Sequence, residues 1–382
     1  MSGPLLTALL YTDRYQDFDY GVSHPLKNLR LKLTFELISS LSLLSGQGIT
    51  LVEPEPATEE ELLAIHREDY LEALKAADGG HLPNGAYRYG LGSGDNPVFP
   101  GVYTFSALVA GASLQAARLI DQGKVDRAFN IAGGLHHAFP ARAAGFCYLN
   151  DPALAIAHLV KEGKRIAYVD LDAHHGDGVQ AIFYHTNQVL TISLHESGDY
   201  LFPGTGFVEE IGEGHGKGFS VNVPLFPGSD DEILLWAFQE VVPPLLKAFR
   251  PDVLVAQLGI DGHRTDPLTH LHYTLNGFAE AIRRLKALAP RMIALGGGGY
   301  DLFNVPRAWA LAWGILNNQE GKLPEELPRD FQKLLKAHGI PSGERLFDPP
   351  FVLHGPEKVR AFQYVRDQVA RLRALVFPLH GL

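Results

Sequence analysis

The chain has 382 residues, 46% of them hydrophobic, a single cysteine and a formal net charge of −10. That length supports a large buried core, and the acidic balance argues against a nucleic-acid-binding surface, which carries a basic bias. The lone Cys147 excludes a disulfide framework and cysteine-rich zinc sites, and no run of about 18 apolar residues marks a membrane-spanning helix.

The N-terminal stretch has no basic n-region and runs straight into acidic DRYQDFDY, so residues 5–11 read as a first strand and not as a signal peptide. Low cysteine use suits a reducing cytoplasm. Further short apolar runs follow at 49–53, 128–132, 165–172, 189–195, 219–223, 253–259 and 292–295. Helical patterns lie between them, among them 58–77, 103–122, 152–162, 230–249 and 276–289. The strands are mostly continuous in hydrophobicity, as parallel strands covered on both faces are. This alternation predicts an α/β fold: one open, mainly parallel sheet of about eight strands with helices on both faces. The strands spread over most of the chain, which predicts a single domain over 1–382, with a core at about 5–320 and a C-terminal connector and helix at 321–382. Three segments read as long loops, 81–101, 197–218 and 317–350, and long loops in compact domains are often functional. Apolar residues at 359, 362, 365, 369, 372 and 376 predict an amphipathic helix docked on the body, with a dimer contact as the alternative; the oligomeric state stays open.

Polar chemistry collects where four strands end. They run into GGLHHAFP, DAHHGDG, IDGHRTDP and GGGGYD, and in an open α/β sheet ligands bind beyond the carboxyl ends of the strands. Asp170, Asp172 and His174 are spaced i, i+2, i+4, which on a strand continuing to its tip would turn all three to one side. Two carboxylates and an imidazole facing one spot call for a cation between them. Asp172 and His174 are predicted ligands of a divalent metal, with Asp261, at the end of another strand, as the third. Three protein ligands leave a position for water, the pattern of a catalytic site. His136 and His137 follow a glycine turn; one can take a proton from activated water while the other steers charge, with Asp170 and Asp177 as carboxylates behind the rings. GGGGY lacks the third glycine of a dinucleotide fingerprint, and GEGHGKG fails the phosphate-loop spacing. Tyr300 makes better sense as a phenol donor to a developing oxyanion.

Taken together, GGLHHA, GFCYLND, YVDLDAHHGDGVQAIFY, FPGTG, QLGIDGHRTDPL and GGGGYD resemble the histone deacetylase superfamily, and the N-terminal YTDRYQDFDYGVSHPLKNLRLKLTFELI looks most like bacterial acetoin-utilization-type deacetylases. The resemblance covers residues 5–320 or so and implies the arginase/deacetylase fold and a lysine deacetylase using one Zn²⁺ or Fe²⁺ per chain. It carries Asp172, His174 and Asp261 over as ligands, His137 as the main base, His136 as its electrostatic partner, Asp170 and Asp177 as their carboxylates, and Tyr300 as the carbonyl-polarising phenol. Phe146 and Phe202 match the walls of an acyl-lysine channel, Gly145 and Leu268 further channel positions, Asp95 the rim aspartate that accepts from substrate backbone, and Arg30 an internal-channel arginine. Cys147, beside Phe146, reads as a packed wall residue and not a nucleophile. The resemblance also implies K⁺ or Na⁺ at an inner site of Asp170, Asp172, His174, Ser193 and Leu194, and at an outer site of Phe183, Thr186 and Val189 around Phe219. An acetylated protein or peptide is the implied substrate, with an acetyl-CoA synthetase suggested by the resemblance alone; acetylpolyamines are the alternative, disfavoured by Leu268 where an acidic gatekeeper would stand. An arginase-type ureohydrolase would need acids where Gly176 and His263 stand, and a non-catalytic acyl-lysine reader would not need every catalytic position filled.

Overall fold

Successive side chains of a strand point to opposite faces, so a strand apolar at every position needs cover on both. The computed structural model, which describes residues 5–382, provides it. Eight parallel strands, β1 (Thr7–Leu10), β2 (Ile49–Val52), β3 (Arg127–Asn130), β4 (Ile166–Asp170), β5 (Val189–Glu196), β6 (Ser220–Leu225), β7 (Val253–Gln257) and β8 (Met292–Leu295), form one sheet in the order β2-β1-β3-β8-β7-β4-β5-β6. In β7, Val253 and Val255 join one core while Leu254 and Ala256 join the other; in β8, Ile293 and Leu295 face one side and Met292 and Ala294 the other.

Among the described residues eleven α-helices cover the sheet: α1 (Leu29–Ser40), α2 (Glu59–Leu62), α3 (Glu68–Ala76), α4 (Val102–Asp121), α5 (Asp151–Lys161), α6 (Asp177–Phe183), α7 (Asp231–Phe249), α8 (Leu275–Leu288), α9 (Asn304–Leu316), α10 (Arg329–Ala337) and α11 (Gly355–Val376). Ala116, Ile120, Ile156 and Leu159 from α4 and α5 build one core; Leu33 and Leu37 of α1, Val241 and Leu245 of α7, Ile282 of α8 and Trp309 of α9 stand in the other. The edge strand β2 is partly exposed, whereas the opposite edge, β6, is fully buried beneath α11.

Two expectations need correction. The pattern at 58–77 is two helices: α2 ends at Leu62, a turn follows, and extended Arg67 (ψ 144°) N-caps α3 and gives its N–H to Pro140 O at 2.8 Å. The connector at 317–350 holds α10, whose Phe331 and Leu335 are buried. The helix expected from 357 runs Gly355–Val376 and buries Val365, Val369, Leu372 and Val376 of the predicted face, but Phe362 is half-buried, Val359 is exposed, and Ala361 is buried in addition.

The topology matters most at the rim. The four strands that end in polar chemistry, β3, β8, β7 and β4, are consecutive neighbours in the sheet. At about 4.8 Å per strand, their carboxyl ends span roughly 15 Å, within reach of a common set of side chains.

Candidate active site and metal centre

β4 ends at Asp170, so Asp172 and His174 lie beyond it in the following turn. The three do not share one strand face as their spacing suggested. Asp170 instead points at His136 and the Tyr168 hydroxyl, accepting from His136 Nδ1 at 2.8 Å and from Tyr168 at 2.6 Å. The turn is held by amide donors: Asp172 Oδ1 accepts from His174 N–H, and Asp261 Oδ1 from Ala173 N–H.

Asp172, His174 and Asp261 are nonetheless brought together. One ligand atom from each lies within 4.8 Å of the other two, and all three are buried. His174 Nδ1 stands 2.8 Å from Asp261 Oδ2 and 3.2 Å from Asp172 Oδ1. The donor set fits a divalent cation. Asp172 Oδ2 is occupied by Gln257 Nε2 and Gly298 N–H, both at 2.7 Å, and Asp261 Oδ1 by Ala173, which leaves one oxygen of each carboxylate converging with the imidazole. Burial opposes charge here, yet Asp261 and Asp172 hold the His174 imidazole well above its ordinary range, showing how strongly the seat demands positive charge. Two carboxylate oxygens and an imidazole nitrogen are ligands that Zn²⁺ and Fe²⁺ both accept.

The glycine run after β8 is explained by this seat. A Cβ on Gly298 would fall on the carboxylates of Asp261 and Asp172, and Gly297 and Gly299 have φ of 125° and 142°, which L side chains avoid. Arg30 Nη1 grips the carbonyls of Gly297 at 2.7 Å and Gly299 at 3.0 Å.

The tandem histidines follow β3. His136 Nδ1 is backed by Asp170 and His137 Nδ1 by Asp177 at 2.7 Å. Their Nε2 atoms are 3.1 Å apart, so at most one proton fits between them. Burial pushes His136 down, but Asp170 and Asp172 outweigh it and carry the ring up to about 9. Burial, reinforced by the neighbouring His136 charge, pushes His137 down to about 4 despite Asp177. The carboxylates therefore favour positive charge on His136 over His137, and Nδ1 of each ring faces its own carboxylate.

Above the seat a cavity of about 210 Å³ reaches the surface, with Phe146 and Phe202 among its walls and His137, His174 and Tyr300 at its base. Asp95, Gly145 and Leu268 line it too, and Leu201 adds a wall residue the sequence did not flag. Phe202 is 44% exposed at the mouth. Phe146 adopts φ of 68°, an uncommon conformation for a bulky residue; Tyr20 donates to its carbonyl at 3.2 Å and the His24 ring meets its edge. Cys147 is buried, its Sγ on Gly145 O at 3.2 Å, in keeping with a packed wall residue. Tyr300 lies edge-to-face with Phe146, and burial, with Asp261 and Asp172 nearby, keeps its phenol protonated far above neutral pH. Deeper, a chamber of about 20 Å³ is bounded by Arg30, Gly134 and Cys147.

The residues expected to hold monovalent cations are placed as follows. Ser193 pairs with Asp170 across β4 and β5, with Leu194 next to it, and Ser193 Oγ lies 2.8 Å from His195 Nδ1. Phe183 closes α6, its carbonyl accepting from Thr186 N–H; Val189 opens β5; the Phe219 carbonyl accepts from Thr191 N–H at 2.9 Å. His263 turns away from the metal seat, its Nε2 2.8 Å from Asp348 Oδ2, so the position where a dinuclear site would need an acid contributes nothing to the seat.

An open parallel sheet with this rim defines the arginase/deacetylase class of fold. The histone deacetylase domain matches residues 24–316, and the chain belongs to the histone deacetylase family. Acetoin utilization protein AcuC of Bacillus subtilis (strain 168) is 42% identical over 315 residues, 80% of this chain and 81% of that protein. AcuC of Staphylococcus aureus (strain MSSA476) is 43% identical over 331 residues, 84% of this chain and 85% of that protein. An HDAC homolog from Aquifex aeolicus matches with a TM-score of 0.86 at 38% identity, over 94% of this chain and 100% of that one. An HDAC homolog complexed with SAHA matches with a TM-score of 0.87 at 37% identity, over 97% and 100%. Among the described residues no helix is long and apolar enough to cross a membrane.

Proposed function

We propose that this chain is a zinc-dependent deacetylase of acetyl-lysine in proteins or peptides. The observation that carries the reading is the convergence at the base of one narrow channel of the Asp172–His174–Asp261 seat, the tandem histidine pair and the Tyr300 phenol.

A divalent cation in the seat supplies Lewis acidity, acidifying water and polarising an acyl oxygen. The chain's own groups do the rest. Phe146 and Phe202 flank the apolar lysine stem and exclude water from it. Asp95, exposed at the rim, accepts from substrate backbone N–H groups. Neutral His137 takes the proton of the attacking water at Nε2, and Asp177 steadies the charge that forms. The Tyr300 hydroxyl donates to the acyl oxygen as negative charge builds there. The histidine pair then returns a proton to the departing amine, releasing lysine and acetate. Cys147 takes no part.

Leu268, an apolar residue on the channel wall, favours a lysine stem over a cationic polyamine. Acetylated small amines are the second reading. An acetyl-CoA synthetase would be a partner of the first, the reducing cytoplasm its setting, and K⁺ a structural ion at the oxygen-rich positions beside Asp170 and Phe219. The test is release of acetate from an acetyl-lysine peptide, abolished by a chelator and restored by Zn²⁺. Hydrolysis of acetylpolyamines with the peptide untouched would overturn the protein-substrate reading, and urea release from arginine would overturn the deacetylase reading itself.

A further inference from the structure

Asp266 is a buried carboxylate that no step above uses. It lies five residues after the ligand Asp261, and among the described residues it forms no ion pair. Its two oxygens are spent on two backbone amides: Oδ2 accepts from Tyr300 N–H at 2.8 Å, and Oδ1 from Leu268 N–H at 3.0 Å. One of these residues carries the oxyanion donor and the other is a wall of the channel.

We propose that Asp266 is a positioning residue: it clasps the peptide of Tyr300 to the channel wall at Leu268, so that one buried carboxylate sets both the phenol and the wall. The need for it follows from the local chain. Residues 296–299 are glycines with no side chains to pack, and two of them take left-handed φ values. Arg30 holds the carbonyls of Gly297 and Gly299, and Asp172 holds Gly298 N–H, but Tyr300's own amide is held by Asp266. A phenol must sit within a few tenths of an ångström of its place to donate to a developing oxyanion. Each oxygen of Asp266 meets one amide N–H, whereas an asparagine side chain has one carbonyl oxygen and turns its NH₂ against the second N–H.

This inference rests on the hydrolase reading, and the experiment separates the two. Asp266→Asn, Tyr300→Phe and the double variant are compared with the wild-type chain, all metal-replete, for kcat and KM on an acetyl-lysine peptide, with metal content and Tm measured alongside. Asp266→Asn should lower kcat by about 10-fold or more while KM stays within about twofold. In the Tyr300→Phe background the same change should cost less, about twofold in kcat, because the hydroxyl it positions is already gone and only the Leu268 wall is left to shift. Asp266→Glu, which keeps two acceptor oxygens, serves as the second variant if Asp266→Asn does not fold, and its smaller loss should likewise shrink without the Tyr300 hydroxyl. Equal losses with and without that hydroxyl, or a wild-type kcat in Asp266→Asn, would overturn the clasp. A wild-type chain that hydrolyses no acetylated amine would instead overturn the hydrolase reading.

Discussion

Two imidazoles whose Nε2 atoms sit 3.1 Å apart cannot both carry a proton on those atoms, and the surrounding carboxylates decide which one does. Asp170 and Asp172 lie on the His136 side, so charge is favoured on His136 and disfavoured on His137. Tyr300 completes the set as a donor that never ionises in the working range. Replacing it with phenylalanine removes one oxyanion donor and should lower turnover by about 10²–10³ with little change in KM; steady-state kinetics on an acetyl-lysine peptide checks this, and wild-type-like turnover would remove Tyr300 from its role. A second residue-scale effect belongs to His66, remote from the metal seat. Its Nε2 accepts Asn150 N–H at 3.0 Å, and Asn150 Nδ2 donates to the carbonyl of His136, so the ring supports the histidine loop from behind. Burial pushes His66 down to about 4 from 6.5. A folded pKa below the unfolded one means the unfolded chain binds the extra proton. Stability is therefore fully present above pH 6.5 and is lost as pH falls towards 4, at about 1.4 kcal/mol per unit and about 3 kcal/mol in all. Urea denaturation at pH 7 and pH 5 should show wild type losing more than His66→Gln over that interval, by about 2 kcal/mol.

At the scale of elements, the C-terminal connector is tied to the site it follows. Asp348 accepts from His263 Nε2, from Arg307 Nη1 at 3.0 Å and from Leu275 N–H at 2.8 Å, joining the loop after Asp261, helix α9 and the start of α8. Asp348→Ala leaves Arg307 and His263 buried without their acid, and breaking a buried pair from one side costs about 3–5 kcal/mol. Urea titration should show a loss of that order, whereas a cost below about 1 kcal/mol would mean the connector is held by its apolar residues alone. This network also marks where the sequence stops being readable. The four site-bearing strand ends are legible because carboxylates and histidines abruptly follow apolar runs, and the C-terminal part of the α11 face, from Val365 to Val376, is legible from its spacing. Asp348 stands in a DPPF stretch that reads as a connector, and its partners lie 41 to 85 residues away. Gln257 reads as an interior residue of the strand at 253–259, and only the fold, which ends β7 there, sets its amide on Asp172. The break after Leu62 has no proline or glycine to announce it, and the Arg67 N–H beyond the turn is claimed by distant Pro140. Local pattern reports periodicity and end signals; it does not report which distant carbonyl will claim an amide.

For the whole molecule, the consequence of gathering four consecutive strand ends is a concentration of buried negative charge. Asp170, Asp172 and Asp261 are all essentially inaccessible to solvent, and burial pushes Asp261 up first, with Asp172 adding to it. Such a rim is stable in proportion to the positive charge placed on it, so metal binding and folding are linked. A cation bound to the native but not the unfolded chain stabilises by RT ln(1 + [M]/Kd), about 4 kcal/mol at a free concentration of 1,000 Kd. Thermal unfolding of the chelator-stripped chain should therefore begin several degrees below that of the Zn²⁺-loaded chain, and titrating Zn²⁺ back should raise Tm progressively. Asp172→Ala removes one ligand, so its Tm should be insensitive to Zn²⁺ and its metal content near zero. Elemental analysis of the loaded wild type should give about one ion per chain, because His263 faces Asp348 and Gly176 offers no ligand. Two ions per chain would point to a dinuclear centre and would undo the single-metal reading.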